Sequence, residues 1–375
     1  MDAPPAPQSV ERIAVVGLGN VGRLLADMLS EREFEVWEVD SDASRVAGDH
    51  PSVMDVSDPT ALEEMFASVD AVVSCLPYFL NGGIATAAHA AGVHYLDLTE
   101  DVATSLTIKE LAKSSNTIFM PRCGLAPGFI CVVGGALVAK LETVERIELR
   151  VGALPSSPNN ALGYSCTWSP DGIINEYLND CEQLRGGELV TVPSLANLET
   201  IVIDGARYEA FTTSGGLGTM CETFAGRVDS LDYKTIRYPG HRALMRFMLQ
   251  ELGLGRQREA AVRLLTDAYP PVRDDLVVLY AAAEGISDGR RAREEFVHTY
   301  RPRPVAGETR TAIAWTTAAG AVGMIELLAD GSLPGPGFIC QEDVPLDDFL
   351  ATSAGHLLAR EPQAEMDEDV PLPVA

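Results

Sequence analysis

The stretch "AVVGLGNVGRLLADML", residues 14–29, decides the fold. A short apolar strand runs into Gly17-Leu18-Gly19-Asn20-Val21-Gly22, and an apolar-patterned helix follows. In such a turn Gly17 permits the tight bend and Gly19 lets the backbone approach a pyrophosphate. Gly22 allows the helix to pack closely on the strand. The helix start, with Asn20 and Val21, offers free N–H groups and a positive dipole end to phosphate. A second strand pattern, "EVWEV", then ends on Asp40. A carboxylate there accepts hydrogen bonds from the adenosine ribose and repels a 2′-phosphate, so NAD is expected over NADP. Arg45, a few residues on, works against that preference. Asp55, in "VMDVSD", reads either as an adenine contact or as a surface cap.

Working outward, the first 120 residues alternate strand and helix patterns. Strands are expected at 12–16, 35–39, 70–74, 93–98 and 116–120, with helices at 21–30, 60–66, 82–91 and 102–113. The strands are short and valine-rich, as in a parallel sheet covered on both faces. The fold class is therefore α/β, a Rossmann-type doubly wound parallel sheet plus a second α+β domain for substrate binding and oligomerisation. The dinucleotide domain is expected over 10–124, completed by 311–353, where "TTAAGAVGMIELLADGSL" reads as an apolar helix returning to it. The α+β domain is expected over 125–310, with a mostly antiparallel sheet that includes strands at 146–151, 200–203 and 234–238.

The net charge is −26. Nucleic-acid binding needs a basic surface, so none is expected. Part of the acid excess lies in the tail 360–375, expected to be solvated and disordered. No stretch reads as a membrane span or a secretory signal. The seven cysteines form no CxxC pair, which fits a reducing cytoplasm and no cysteine-built metal site.

Ligands of open parallel sheets bind outside the carboxyl ends of the strands. Those ends carry Cys75, Leu76, Pro77 and Tyr78, then Asp97, Thr99, Glu100 and Asp101, then Arg122 and Cys123. Cys75, Leu76 and Pro77 are expected to pack on the cofactor. Asp97 and Asp101 read equally as catalytic acids and as helix caps. Cys75 and Cys123 read as small buried hydrophobes. In the second domain, "YKTIRYPGH" (233–241) places Arg237 and Tyr238 at a strand end and His241 after a turn. Arg237 reads as a grip for a substrate carboxylate or as a structural strand-end cation. His241 reads as a general base or as a fixture of the turn. Thr213 and Ser214 bring hydroxyls on a glycine-rich loop, and Trp168 is either an apolar wall or core.

Together, "VVGLGNVG", "HYLDLTED", "CGLAPGF", "INEY", "EAFTTSGGLGT", "YKTIRYPGH" and "TTAAG" resemble the saccharopine dehydrogenase-like family, most closely its lysine 6-dehydrogenase branch. The resemblance runs from Arg12 to about Ser353. It implies a Rossmann domain, a substrate-binding α+β domain, homo-oligomers and a small amino acid or amine as partner. It further implies NAD-dependent oxidation of the ε-amine of L-lysine to 2-aminoadipate 6-semialdehyde, which cyclises to a piperideine carboxylate. Saccharopine-forming relatives look like "GLDPG" where this chain has "GLAPG"; Ala126 replaces their acid and points toward the lysine 6-dehydrogenase type. On this reading Asp97, Glu100 and His241 are the candidate bases. Arg237 binds the α-carboxylate, Glu100 or Asp171 the α-ammonium, and Tyr78, Trp168, Thr213, Ser214 and Tyr238 line the pocket. Two alternatives stand beside it: a saccharopine- or carboxynorspermidine-type reductase joining an amine to a carbonyl compound, and a nucleotide-binding protein without turnover.

Overall fold

Successive residues of the first strand go to opposite sides. In the computed structural model, which describes residues 10–359, Ile13 and Val15 join one buried cluster and Ala14 and Val16 another. A strand buried on both faces has no polar face to alternate with, which is why its sequence is a continuous apolar run. Ile13, Val15 and Val16 each contribute roughly 1.5–3 kcal/mol by leaving water. The tail at 360–375 lies outside the described residues.

The first half of the chain runs β1 (Arg12–Val16), α1 (Asn20–Ser30), β2 (Glu35–Asp40), β3 (His50–Val53), α2 (Pro59–Phe66), β4 (Ala71–Ser74), α3 (Tyr78–Ala91), β5 (His94–Asp97), α4 (Val102–Ala112) and β6 (Ile118–Met120). Strand β3 was not expected: "HPSV" alternates half-buried and exposed residues and begins beside a proline, so it lacks the valine signal of its neighbours. Helix α3 begins four residues earlier than its apolar pattern suggests, which puts Tyr78 in its first turn.

The second half opens with α5 (Phe129–Ala139), β7 (Thr143–Pro155), α6 (Pro170–Leu178), β8 (Cys181–Arg185), β9 (Glu188–Val192), β10 (Glu199–Ile203) and β11 (Ala206–Thr212). It continues with α7 (Met220–Phe224), β12 (Ser230–Arg237), α8 (His241–Arg246), α9 (Arg258–Ala268), β13 (Asp275–Ser287) and β14 (Arg290–Tyr300). A small hairpin of β15 (Arg303–Val305) and β16 (Glu308–Arg310) leads into α10 (Ala312–Ala329), the two-residue strand β17 (Gly337–Phe338) and α11 (Leu346–Ala351).

The first sheet has the order β17-β6-β5-β4-β1-β2-β3, with every pair parallel. The order reverses between β1 and β4, the switch point at which such sheets bind ligands. The second sheet has eight strands: β10-β11-β12-β7-β13-β14 in order, with β8 pairing β12 and β9 pairing β8. It is antiparallel except between β7 and β12, whose parallel pairing requires the long crossover that carries α6. Helices α5 and α10 lie in one buried cluster with α1 and the inner faces of β7 and β13, so the two sheets share a core. Helix α10 is long and apolar enough to span a membrane by composition, and 78% of that window is buried inside the fold. Its start is capped by the carboxylate of Asp275, which accepts from the N–H groups of Ala312 at 2.6 Å and Ile313 at 2.9 Å.

Candidate active site

The glycine turn is built as a nucleotide cradle. A Cβ on Gly22 would collide with the carbonyl oxygen of Gly17, so only glycine lets α1 sit this close to β1. A Cβ on Gly19, in contrast, would meet nothing within 4 Å. Gly19 is the N-cap of α1, without a side-chain cap and with no acid in the first turn. Backbone donors therefore face open space at the positive end of a helix, the arrangement a pyrophosphate requires. Cys75 and Leu76 press on this turn from β4, with the Cys75 N–H donating to Val16 O at 2.8 Å. Burial pushes the Cys75 thiol up to about 12, so it packs and does not react. At the end of β2, Asp40 accepts from Leu18 N–H at 2.8 Å and Asp42 N–H at 2.9 Å. A carboxylate has lone pairs to spare for two ribose hydroxyls. Arg45 Nη1 lies 3.8 Å from Asp40. These residues fit a dinucleotide. Asp55 sits in a surface turn, where its Oδ1 accepts from Ser57 N–H at 2.9 Å. Among the described residues no group of three His, Cys, Asp or Glu converges as a metal site would.

Beyond the end of β5 the structure separates the three candidate bases. Asp97 is fully buried and its oxygens are occupied: Oδ1 accepts from the N–H groups of Thr99 and Arg122, each at 2.9 Å, and Oδ2 from Tyr95 Oη at 2.7 Å. It pins the β5 and β6 ends together and is not placed to move a substrate proton. Asp101 caps α4 through Thr104 N–H at 2.7 Å. Glu100 differs from both. Its Oε1 is buried with no hydrogen-bond partner, and burial, with Asp101 and Asp97 nearby, pushes its carboxyl up to about 7.

His241 does not stand as a base. Its Nδ1–H donates to Leu162 O at 3.0 Å, and its Nε2 accepts from Tyr177 Oη at 3.0 Å. Both nitrogens are used and the residue is 1% exposed. Tyr177 Oη in turn accepts from Arg237 Nε at 3.0 Å. The chain Arg237–Tyr177–His241–Leu162 thus requires a neutral imidazole. Burial, reinforced by the Arg237 charge, pulls His241 down to about 3. Its resonances are expected to show a neutral ring from pH 8 to pH 5 by NMR; titration near 6.5 would contradict this. Because the folded value lies below the unfolded one, this group stabilises the fold above pH 6.5 and loses that contribution as pH falls toward 3.

Arg237 itself is 2% exposed. Its guanidinium lies 4.9 Å from the Tyr164 ring centroid, and Nη1 donates to Ile236 O at 2.8 Å. No carboxylate lies within ion-pair distance of it among the described residues, although every other buried arginine or lysine in this sheet is paired: Arg150 with Glu199 at 2.6 Å and Asp232 at 3.1 Å, Lys234 with Glu199. A buried cation left in this state is stabilised by an arriving anion. Tyr164 Oη and Thr167 Oγ1, from the same segment, are likewise buried without partners.

Around these groups stand residues of both halves. The 213–219 loop packs onto the Glu100 backbone, and a Cβ on Gly215, whose φ is +88°, would collide with Glu100 O. Thr213 Oγ1 bonds Thr235 Oγ1 at 2.7 Å, and Ser214 N–H donates to Glu176 O at 3.2 Å. Trp168 leans on Gly172, where a Cβ would lie 2.5 Å from its ring and 3.2 Å from Glu100 Oε1. Tyr78 Oη lies 3.4 Å from Arg258 Nη1, which also donates to Asn175 Oδ1 at 3.1 Å. A narrow cleft lined by Val102, Asp180, Glu182, Thr213, Gly215–Gly218 and Tyr233 adjoins this loop.

Two expected lining residues lie elsewhere. Tyr238 follows the strand and turns to its other face, donating from Oη to Pro155 O at 2.9 Å and packing with Tyr208. Asp171 is exposed in the first turn of α6. Sequence reasoning overlooked Glu176, Tyr164 and Tyr177. A signal existed for the first: an Asn-Glu pair inside the otherwise apolar "GIINEYL", where a polar residue breaks a buried helix face.

Residues 13–119 match the family described as saccharopine dehydrogenase NADP binding domain, and residues 124–358 the saccharopine dehydrogenase C-terminal domain. Among curated proteins the chain is similar to a saccharopine dehydrogenase (NADP(+), L-glutamate-forming) of Schizosaccharomyces pombe, 24% identical over 159 residues, 39% of this chain and 34% of that protein. It is similar also to a mitochondrial alpha-aminoadipic semialdehyde synthase of Bos taurus, 26% identical over 230 residues, 57% of this chain and 23% of that one. The matched segments thus span about a third of the first relative and a quarter of the second. The apo saccharopine dehydrogenase (L-Glu forming) structure from Saccharomyces cerevisiae superposes with a TM-score of 0.72 at 14% identity, over 91% of this chain and 96% of that one. At that identity the likeness establishes a shared fold.

Proposed function

This chain belongs to the saccharopine dehydrogenase family, and on that premise we propose that it is a nicotinamide-dependent dehydrogenase that oxidises the ε-amine of L-lysine to 2-aminoadipate 6-semialdehyde. One observation carries the reading. Arg237, a buried guanidinium without an ion-pair partner among the described residues, and Glu100, whose buried Oε1 has no hydrogen-bond partner, both lie beside the buried Glu176 carboxyl near the strand ends of a dinucleotide fold.

Arg237 binds the α-carboxylate. Glu100 accepts the proton of the ε-ammonium, because only a neutral amine has the lone pair that expels hydride. A nicotinamide cofactor, which the Gly17–Gly22 turn and Asp40 would hold, would supply the hydride acceptor. Water then adds to the substrate imine, releasing ammonia and the semialdehyde. Trp168 walls the aliphatic chain, while Thr213 and Ser214 orient its polar end. Ala126, at the turn where saccharopine-forming relatives carry an acid, supports an amine substrate without a second carboxylic acid arm. Asp40 favours NAD, in contrast to the NADP(+) in the relatives' names, and Arg45 is the residue that would hold a 2′-phosphate if that preference fails.

The test is an alkaline assay of reduced-nicotinamide absorbance with L-lysine and either NAD or NADP. The expected result is lysine-dependent reduction, with a higher kcat/KM for NAD. No turnover of lysine, together with NADH oxidation in the presence of an amino acid and a keto acid, would establish the carbon–nitrogen-joining reductase instead.

A further inference from the structure

Helix α6 presents Gly172 and Glu176 one turn apart on the same face. The missing side chain at Gly172 opens that face to Glu100 Oε1 and the Trp168 ring. The backbone carbonyl of Glu176 is fixed by Ser214 N–H, and the next residue, Tyr177, holds Arg237 Nε. Glu176 is therefore locked between Glu100 and Arg237. It is 6% exposed, and its carboxyl makes no hydrogen bond or ion pair among the described residues. The titratable groups around it are Glu100, Arg237, Tyr164, Tyr177, Tyr233 and Cys181, and Arg237 is the only cation among them.

A buried carboxyl in that position is either neutral or awaits a cation. We propose that Glu176 is the specificity-determining residue for a free α-ammonium: it holds a proton in the substrate-free protein and releases it to solvent when the α-ammonium docks. This role rests on the function proposed above. Burial and the neighbouring Glu100 both raise the Glu176 carboxyl well above the usual range, in keeping with the neutral substrate-free form. With both acids ionised, the Arg237–Glu100–Glu176 cluster carries one net negative charge, with Arg122 acting on Glu100 from the end of β6. An amino acid with two ammonium groups and one carboxylate complements it. A molecule with several carboxylates does not.

The experiment compares L-lysine with 6-aminohexanoate, which keeps the ε-amine and carboxylate but lacks the α-ammonium. Glu176→Gln is expected to raise KM for L-lysine about 10- to 100-fold, the loss of one charge-assisted hydrogen bond. It leaves KM for 6-aminohexanoate unchanged and kcat within about threefold for both. Glu176→Asp, which keeps the charge one methylene back, recovers part of the lysine affinity. Independently of turnover, calorimetric titration of L-lysine into the NADH-loaded protein at pH 7, in two buffers of different ionisation enthalpy, should show proton release that Glu176→Gln reduces. Equal KM effects on both substrates, or unchanged proton release, overturn the role of Glu176 alone. A wild type that neither binds nor oxidises L-lysine overturns this role and the proposed function together.

Discussion

Glu100→Gln is expected to lower kcat/KM for L-lysine by about 10²- to 10⁴-fold, the usual contribution of a positioned base. Two further signatures distinguish loss of a base from general damage. In the wild type kcat/KM rises with pH through a value near 7, because the Glu100 carboxyl must lose its proton before it accepts one from the substrate, and burial pushes that carboxyl up to about 7. In the variant this limb disappears. The second signature is stability. The folded value of Glu100 is raised above the unfolded one, so its contribution is favourable below pH 4.5 and is lost as pH rises through 7. The ionised wild type then carries a penalty of about 3 kcal/mol that the amide lacks. The unfolding midpoint of the variant should exceed that of the wild type at pH 8 and match it at pH 4. A variant with unaltered pH profile would place the base elsewhere.

Arg237→Lys is expected to raise KM for L-lysine roughly 10- to 200-fold with little change in kcat. The guanidinium has three attachments in the structure, Tyr177 Oη, Ile236 O and the Tyr164 ring, and the proposed substrate carboxylate would be a fourth. An ammonium keeps the charge but not the planar fork or the stack on tyrosine. The same variant frees Tyr177 Oη and so disturbs His241, which makes the split between KM and kcat the deciding readout. A fall in kcat with KM unchanged would mean that Arg237 acts on the reacting end. Steady-state kinetics with L-lysine at saturating NAD measures both constants.

The sheet was legible because its rules are local. Ile13 to Val16 must face two covers at once, and a strand in that situation spells itself as an apolar run. The cradle was legible for a similar reason: Gly22 and Asp40 act within one βαβ unit. His241 and Glu100 show where that legibility ends. Both are polar residues beside a turn, and sequence ranks them equally. What separates them is contact made across 60 residues or more, from Tyr177 and Leu162 to the histidine. Glu100 has no such partner. Tyr238 illustrates the strand-period limit, since one residue past the end of β12 the chain turns and the side chain goes to the opposite face. Glu176 left only the Asn-Glu break in its apolar helix as a signal. Burial is the default for "GIINEYL", and the sequence cannot say that a carboxyl there lacks a partner.

The contact between Gly215 and the Glu100 carbonyl has a consequence for inheritance. Each half of the molecule has its own sheet, and an exchange of halves between relatives would naturally be cut near residue 124. Yet the loop that carries Gly215 is moulded on the backbone of Glu100, the proposed base, with no space for a single added carbon. Residues 97–101 and 213–219 therefore form one unit of recombination that straddles the cut. A chimera that joins this dinucleotide half to another substrate half is expected to lose this fit unless both segments travel together.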